Sequence, residues 1–168
     1  MRVAFLIGLA LIALACGPKS DAPAAAAAPT ASAALSGAAL DSAKGVDVAW
    51  AAAMNAKDTA AVLALYADDS KMLPPDAPIM DKAGAHKVLA GLIAGGASDF
   101  ALSPTASYGV GDLAYMVGTA TFKMGGAAET VKYADVVRRG ADGKWRYVVD
   151  MFSGVAAAPP AAAPVKRK

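Results

Sequence analysis

ETVKYADVVRRGADGKWRYVVDMFS, residues 129–153, reads as two strands around a tight turn. In the first, Val131, Tyr133, Asp135 and Val137 alternate with Lys132, Ala134, Val136 and Arg138. In the second, Trp145, Tyr147, Val149 and Met151 alternate with Arg146, Val148, Asp150 and Phe152. Period-two alternation of β-branched and aromatic residues, broken by Gly140-Ala141-Asp142-Gly143, is the signature of a hairpin. Asp135 and Asp150 each interrupt an otherwise apolar face, where an unpaired carboxylate is costly to bury. Pairing Arg139 with Lys144 would set Asp135 opposite Val148, with Asp150 a diagonal neighbour about 7–8 Å away. On that register Trp145, Tyr147, Val149 and Met151 point away from Asp150.

Upstream of the hairpin the chain supplies two more strands, roughly Asp99 to Tyr108 and Asp112 to Lys123, with glycine turns at 109–111 and 125–126. Before them come helices. Leu40, Lys44, Asp47 with Val48, Ala51 and Met54 keep a helical period. Asp58 is placed to cap a second helix carrying Val62, Leu63, Leu65 and Tyr66, and Asp81 a third that runs to about Ile93. Asp68-Asp69 reads as the close of the second helix before a short strand, Ser70 to Leu73. Pro74-Pro75-Asp76-Ala77-Pro78 then breaks regular structure. Helices first and four long antiparallel strands after predict an α+β fold: a curved, cone-shaped antiparallel sheet with three N-terminal helices on its concave face. A cavity would lie between helices and sheet.

The ends are of a different character. Residues 1–15 read as a signal peptide, one arginine followed by an apolar run too short to span a bilayer. The run ends at Cys16, and Leu11-Ile12-Ala13-Leu14-Ala15-Cys16 resembles a bacterial lipobox. That resemblance implies a lipidated Cys16 as mature N-terminus, a membrane anchor, and a domain facing the periplasm, with the outer membrane favoured because Gly17 is not aspartate. Ordinary cleavage after Ala15 is the alternative. Residues 16–39 are an Ala/Pro-rich tether, 40–155 the folded domain, and 156–168 an Ala/Pro/basic tail.

The chain's net charge of +2 belongs to its ends. From Leu40 to Val155 eleven Lys and Arg face thirteen Asp and Glu, which leaves the domain without the concentrated basic charge that nucleic acid requires. A single cysteine excludes an intramolecular disulfide and a cysteine-based zinc site. The sequence contains no phosphate loop, no HExxH and no nucleophile elbow, and no cofactor or metal is expected. His86 is the only histidine.

Trp50, Lys57-Asp58, Leu65-Tyr66-Ala67-Asp68-Asp69, Pro74-Pro75, Gly84 and Asp142-Gly143-Lys144-Trp145 together resemble the nuclear transport factor 2-like superfamily. That superfamily includes ketosteroid isomerases, polyketide cyclases and many small bacterial domains of unknown function. The resemblance covers about Leu40 to Ser153. It implies the cone-shaped fold but no chemistry, since the fold hosts enzymes, binders and assembly modules. Aligned on these motifs, the isomerases' oxyanion tyrosine falls on Trp50, their general base on Pro74 and their protonated aspartate on Asp135. A proline moves no proton, so the resemblance implies that steroid isomerisation is lost. The same alignment turns Trp50, Met116, Phe122, Tyr133, Asp135, Val148, Asp150 and Phe152 toward the cavity.

Three functions follow from this reading. The first is an envelope protein that binds a small apolar molecule without turning it over. The second is an isomerase, cyclase or hydrolase using Asp135 and Asp150 as acid and base. The third is a structural module that dimerises through the convex sheet face, where Tyr147, Val149 and Met151 are expected.

Overall fold

The computed structural model describes residues 32–155 of the chain. The expected signal peptide, the lipidation site Cys16, residues 16–31 of the tether and the tail from 156 lie outside the described residues. The elements run α1 (Ala38–Asn55), α2 (Thr59–Ala64), β1 (Tyr66–Leu73), α3 (Lys82–Ala94), β2 (Ser98–Val110), β3 (Leu113–Met124), β4 (Ala127–Arg139) and β5 (Trp145–Gly154). The strands form one curved sheet in the order β1-β5-β4-β3-β2. The α+β architecture is as expected, with one correction: β1 joins β5 in parallel, so the sheet is mixed.

Local chemistry explains the boundaries. Asp58 caps α2 by accepting from the Ala61 amide at 2.9 Å, and Asp81 caps α3 by accepting from Gly84 at 2.9 Å. The end of α1 is tied to β2 by Asn55. Its amide donates to the Phe100 carbonyl at 2.9 Å and accepts from the Phe100 N–H at 2.7 Å. Ordered structure starts before Leu40: the Leu35 N–H reaches the Gly109 carbonyl at 2.7 Å, and Ala34 bridges to Val110. A Cβ on Gly109 would stand 2.6 Å from Leu35 Cδ1, so glycine makes room for this leading segment. Strand β1 is longer than expected. Asp68 and Asp69 sit inside it, salt-bridged to Lys82 and Arg138 on the surface.

On α1 the buried stripe is Ala43, Val46, Asp47, Ala53 and Met54, with Trp50 partly buried; Val48 is 72% exposed. The helical period holds, but of the expected pair Asp47 and Val48 only the aspartate faces the core, and the stripe is rotated toward Ala43, Val46 and Ala53. The core is completed by Tyr66, Met72, Leu89, Met116, Val137 and Tyr147. Among the described residues no helix is long and apolar enough to cross a membrane.

Candidate functional site

The hairpin's register sets the site. β4 and β5 pair Arg139 with Trp145, one residue beyond the expected partner, and a bulge between Val136 and Val137 skips Val148. Asp135 therefore stands directly opposite Asp150, and Val137 opposite Tyr147. A direct cross-strand pair holds its Cβ atoms about 4.5–5.5 Å apart, closer than the diagonal placement. The extra residue also reverses the facing of the strand's first half, because a one-residue shift turns side chains to the other face. Tyr147 and Trp145 are buried with the core, on the face of Asp150; Val149 and Met151 keep the outer face.

Between α1 and α3 on one side and β2 to β5 on the other lies a cavity of about 100 Å³. Leu89 and Leu92 from α3, Phe100 and Leu102 from β2 and Val131 from β4 supply much of its apolar wall. Trp50, Phe122, Tyr133, Asp135, Asp150 and Phe152 also line it. Two residues placed there by sequence do not: Val148, the bulge residue, and Met116, which faces inward opposite Asp135 but is wholly buried in the core. Tyr147, expected outside, is part of the lining. Pro74 stands outside it, in a surface groove with Ile79 and Met151.

Two carboxyl groups, Asp135 and Asp150, line this space, and a third, Asp47, stands behind its tyrosines, each with a different set of partners. Asp150 Oδ2 accepts from Tyr66 Oη at 2.5 Å, and the same phenol oxygen accepts from Trp50 Nε1 at 3.0 Å. Asp47 Oδ1 accepts from Tyr147 Oη at 2.8 Å, and its Oδ2 from Tyr133 Oη at 3.1 Å. Asp135 is 4% exposed, and its Oδ1 is buried with no hydrogen-bond partner among the described residues. Among the described residues neither Lys, Arg nor His lines the cavity.

Protonation follows from these partners. Burial, then the charges of Asp150 and Asp47, holds the Asp135 carboxyl well above the usual carboxylate range, with only the Met151 backbone N–H opposing. Burial pushes Asp150 up to about 6, against the Tyr66 hydrogen bond that favours its ionised form. Asp47 is raised by burial and drawn back by its two tyrosines. The phenols of Tyr66 and Tyr147 lie well above their ordinary value, through burial and the neighbouring carboxylates, and remain donors. Burial thus favours the protonated form of Asp135, beside an Asp150 that is ionised at neutral pH.

The indole N–H of Trp50 points to Tyr66, so it is not a free donor for a ligand oxygen. His86 is exposed on α3. Among the described residues no cluster of His, Cys, Asp or Glu is arranged to hold a metal ion. Sequence reading missed Asp47, Tyr66 and Tyr147 as members of the site. The available signal for Asp47 was its place one turn before Trp50, on the buried side of an amphipathic helix.

Comparison with known proteins agrees with the geometry. The family described as a SnoaL-like domain matches residues 48–148. No curated protein matches the sequence. Among solved structures, a nuclear transport factor 2-like protein of unknown function from Pseudomonas putida superposes with a TM-score of 0.64 at 20% identity, covering 80% of this chain and 99% of that one. A ketosteroid isomerase-like protein from Erwinia carotovora gives 0.58 at 21% identity, over 70% and 97%. A protein of unknown function with a cystatin-like fold from Nostoc punctiforme gives 0.63 at 17% identity, over 74% and 97%. At these identities the likeness is one of fold.

Proposed function

The chain belongs to the SnoaL-like domain family, within the nuclear transport factor 2-like superfamily, and from that premise we propose that its domain is a receptor for a small, largely apolar molecule. The observation that carries this reading is Asp135. Its buried Oδ1 lacks a partner among the described residues, and the residue borders a cavity otherwise walled mainly by leucine and aromatic side chains. Buried polar atoms are nearly always paired, and an orphan beside a cavity is the place for a ligand's polar group. The volume limits the occupant. About 100 Å³ is below the range of roughly 300–1,000 Å³ common for drug-sized ligands and below the 150 Å³ or so that accommodates benzene. The occupant is a molecule of a few heavy atoms, or a part of a larger one. Native mass spectrometry of protein purified gently from its own host tests this: a bound small molecule, lost in Asp135→Leu, is the expected result. An empty wild-type protein that takes up no member of a small-molecule library contradicts it.

A second reading, an enzyme of isomerase, cyclase or hydrolase type, has the direct pairing of Asp135 with Asp150 in its favour, since that sets an acid and a base within reach of one substrate. Pro74 and the engaged indole of Trp50 speak against steroid isomerisation. For the whole chain the reading is an envelope protein anchored through lipidated Cys16, favouring the outer membrane and facing the periplasm; the lipobox-like sequence supports it. A homodimer through the convex sheet face is part of the same reading. Its support is the exposure of Tyr108, Tyr115 and Met151, at 50%, 43% and 44%, with Val136 and Val149 continuing the row of Tyr108 and Tyr115 across the sheet and Tyr147 removed from that face.

A further inference from the structure

We infer that the cavity takes a small organic ammonium ion, a conclusion that rests on reading the cavity as a ligand site and names the class of its occupant. Three independent features point that way. First, the acidic groups outnumber their counter-charges. Asp135 and Asp150 line the cavity from β4 and β5, Asp47 of α1 stands behind the lining phenols of Tyr133 and Tyr147, and among the described residues no Lys, Arg or His lines the cavity. Asp150 accepts only from a neutral phenol, Tyr66, so its charge in the ionised form is uncompensated by any cation in hydrogen-bond contact among the described residues. Asp150 is half-buried, and a carboxylate drawn part-way out of water without a counter-charge is unfavourable; a ligand cation supplies the missing partner where an anion would add to the repulsion.

Second, the walls are aromatic. Trp50 meets Phe100 edge to face at 5.5 Å, and Phe100 stacks on Phe122 at 5.2 Å. With Tyr133, Tyr147 and Phe152 they give the space several negative ring faces, which attract cations once water is excluded. Third, the orphaned Asp135 Oδ1 stands beside Asp150 without a partner among the described residues, and a cation bound there would draw Asp135 toward its ionised, accepting form. An ammonium group carries three N–H donors and no acceptor, and can bridge two carboxyl groups paired across a ladder. A ligand carbonyl would use only the proton of Asp135 and leave the charge of Asp150 unanswered.

The pH behaviour separates these ligands. The groups facing Asp150 are Tyr66 from β1, Asp135 from β4, Tyr147 from β5 and Asp47 from α1; α3 and β2 bring only apolar side chains to the lining. An alkylammonium with a lysine-like pKa stays charged from pH 7 to 5, while Asp150 gains its proton across that interval. Ammonium affinity therefore falls about tenfold over the two units, whereas a neutral ligand's affinity does not.

The experiment is an NMR titration of the full mature chain with isobutylammonium, isobutanol and 3-methyl-2-butanone, followed at cavity residues at pH 7 and pH 5. The expected result is tightest binding of isobutylammonium at pH 7, by about tenfold over either neutral probe, and loss of that advantage at pH 5. Asp150→Asn should remove both the preference and the pH dependence; its amide spectrum shows whether it is folded, and the wild-type pH series decides the matter if it is not. A ketone or alcohol that binds as tightly as the amine overturns the inference, as does ammonium binding indifferent to pH. In either of those cases the ligand site itself stands. If all three probes leave the cavity resonances unmoved at their solubility limits, the inference and the receptor reading fall together.

Discussion

Acidifying the solution from pH 8 to pH 5 should stabilise this protein, the reverse of what carboxylates in surface ion pairs produce. Asp150 titrates at its ordinary 3.8 when the chain is unfolded and at about 6 in the fold. Between those values the native state holds a proton that the unfolded chain has released, so stability falls as pH rises through the interval. The full difference of roughly two pKa units amounts to about 3 kcal/mol, present below the unfolded value and gone above the folded one. By pH 5, one unit below the folded value, about 1 kcal/mol of it is recovered. For a domain of this size that is a rise of about 5 °C in melting temperature. Asp135 and Asp47 are raised as well and add in the same direction. The exposed Asp68, Asp69 and Asp142 are held low by Lys82, Arg138 and Arg146, and their contributions are lost only as pH falls below the ordinary carboxylate value. Circular-dichroism melts at matched ionic strength measure the effect, and Asp150→Asn should flatten the slope without abolishing it. A wild-type melting temperature that is constant or falls between pH 8 and 5 would refute the buried-acid cluster.

Other substitutions test the packing around the site. Trp145 is 7% exposed beneath the Arg139 guanidinium, so Trp145→Ala should cost about 3 kcal/mol, and an unchanged melting temperature would show that the ring does not pack. Asp47→Ala leaves two buried phenols without an acceptor and should destabilise by about 2–4 kcal/mol, while Asp47→Asn keeps one acceptor and loses less; equal losses in urea unfolding would contradict the assigned hydrogen bonds. A Cβ at Gly118 would fall 2.3 Å from the Ser103 carbonyl oxygen. Gly118→Ala should thus push β2 off β3 at the Pro104 irregularity, with a loss of about 2 kcal/mol, and a neutral substitution would mean the strands lie farther apart there.

The fold was legible because its signals are local. Asp58 and Asp81 announce their helices by capping, and the alternation of β4 is written in single residues. The site was legible only in part, because it depends on register. Val148-Val149 offers two β-branched residues in a row, and nothing in the pair says which is the extra one. With the bulge placed at Val148, Tyr147 turns inward and Asp150 comes level with Asp135. Tyr66 was hidden differently. Read as part of a helix face, it is in fact the first residue of β1, where the parallel pairing with Tyr147 brings its hydroxyl to Asp150. Asp47 was hidden by composition: on an alanine-rich helix the period admits both Asp47 and Val48, and nothing local says that the aspartate is the buried one. Parallel pairing between β1 and β5 is a long-range event with no local signature.

The most direct test of the account is a crystal structure of the protein purified from its own host, refined far enough to show small molecules in the cavity. Density for a non-protein group is expected within hydrogen-bond distance of Asp135 Oδ1, its apolar part against Phe122 and Trp50. A dry cavity, with Asp135 Oδ1 turned instead to a protein donor, would contradict it.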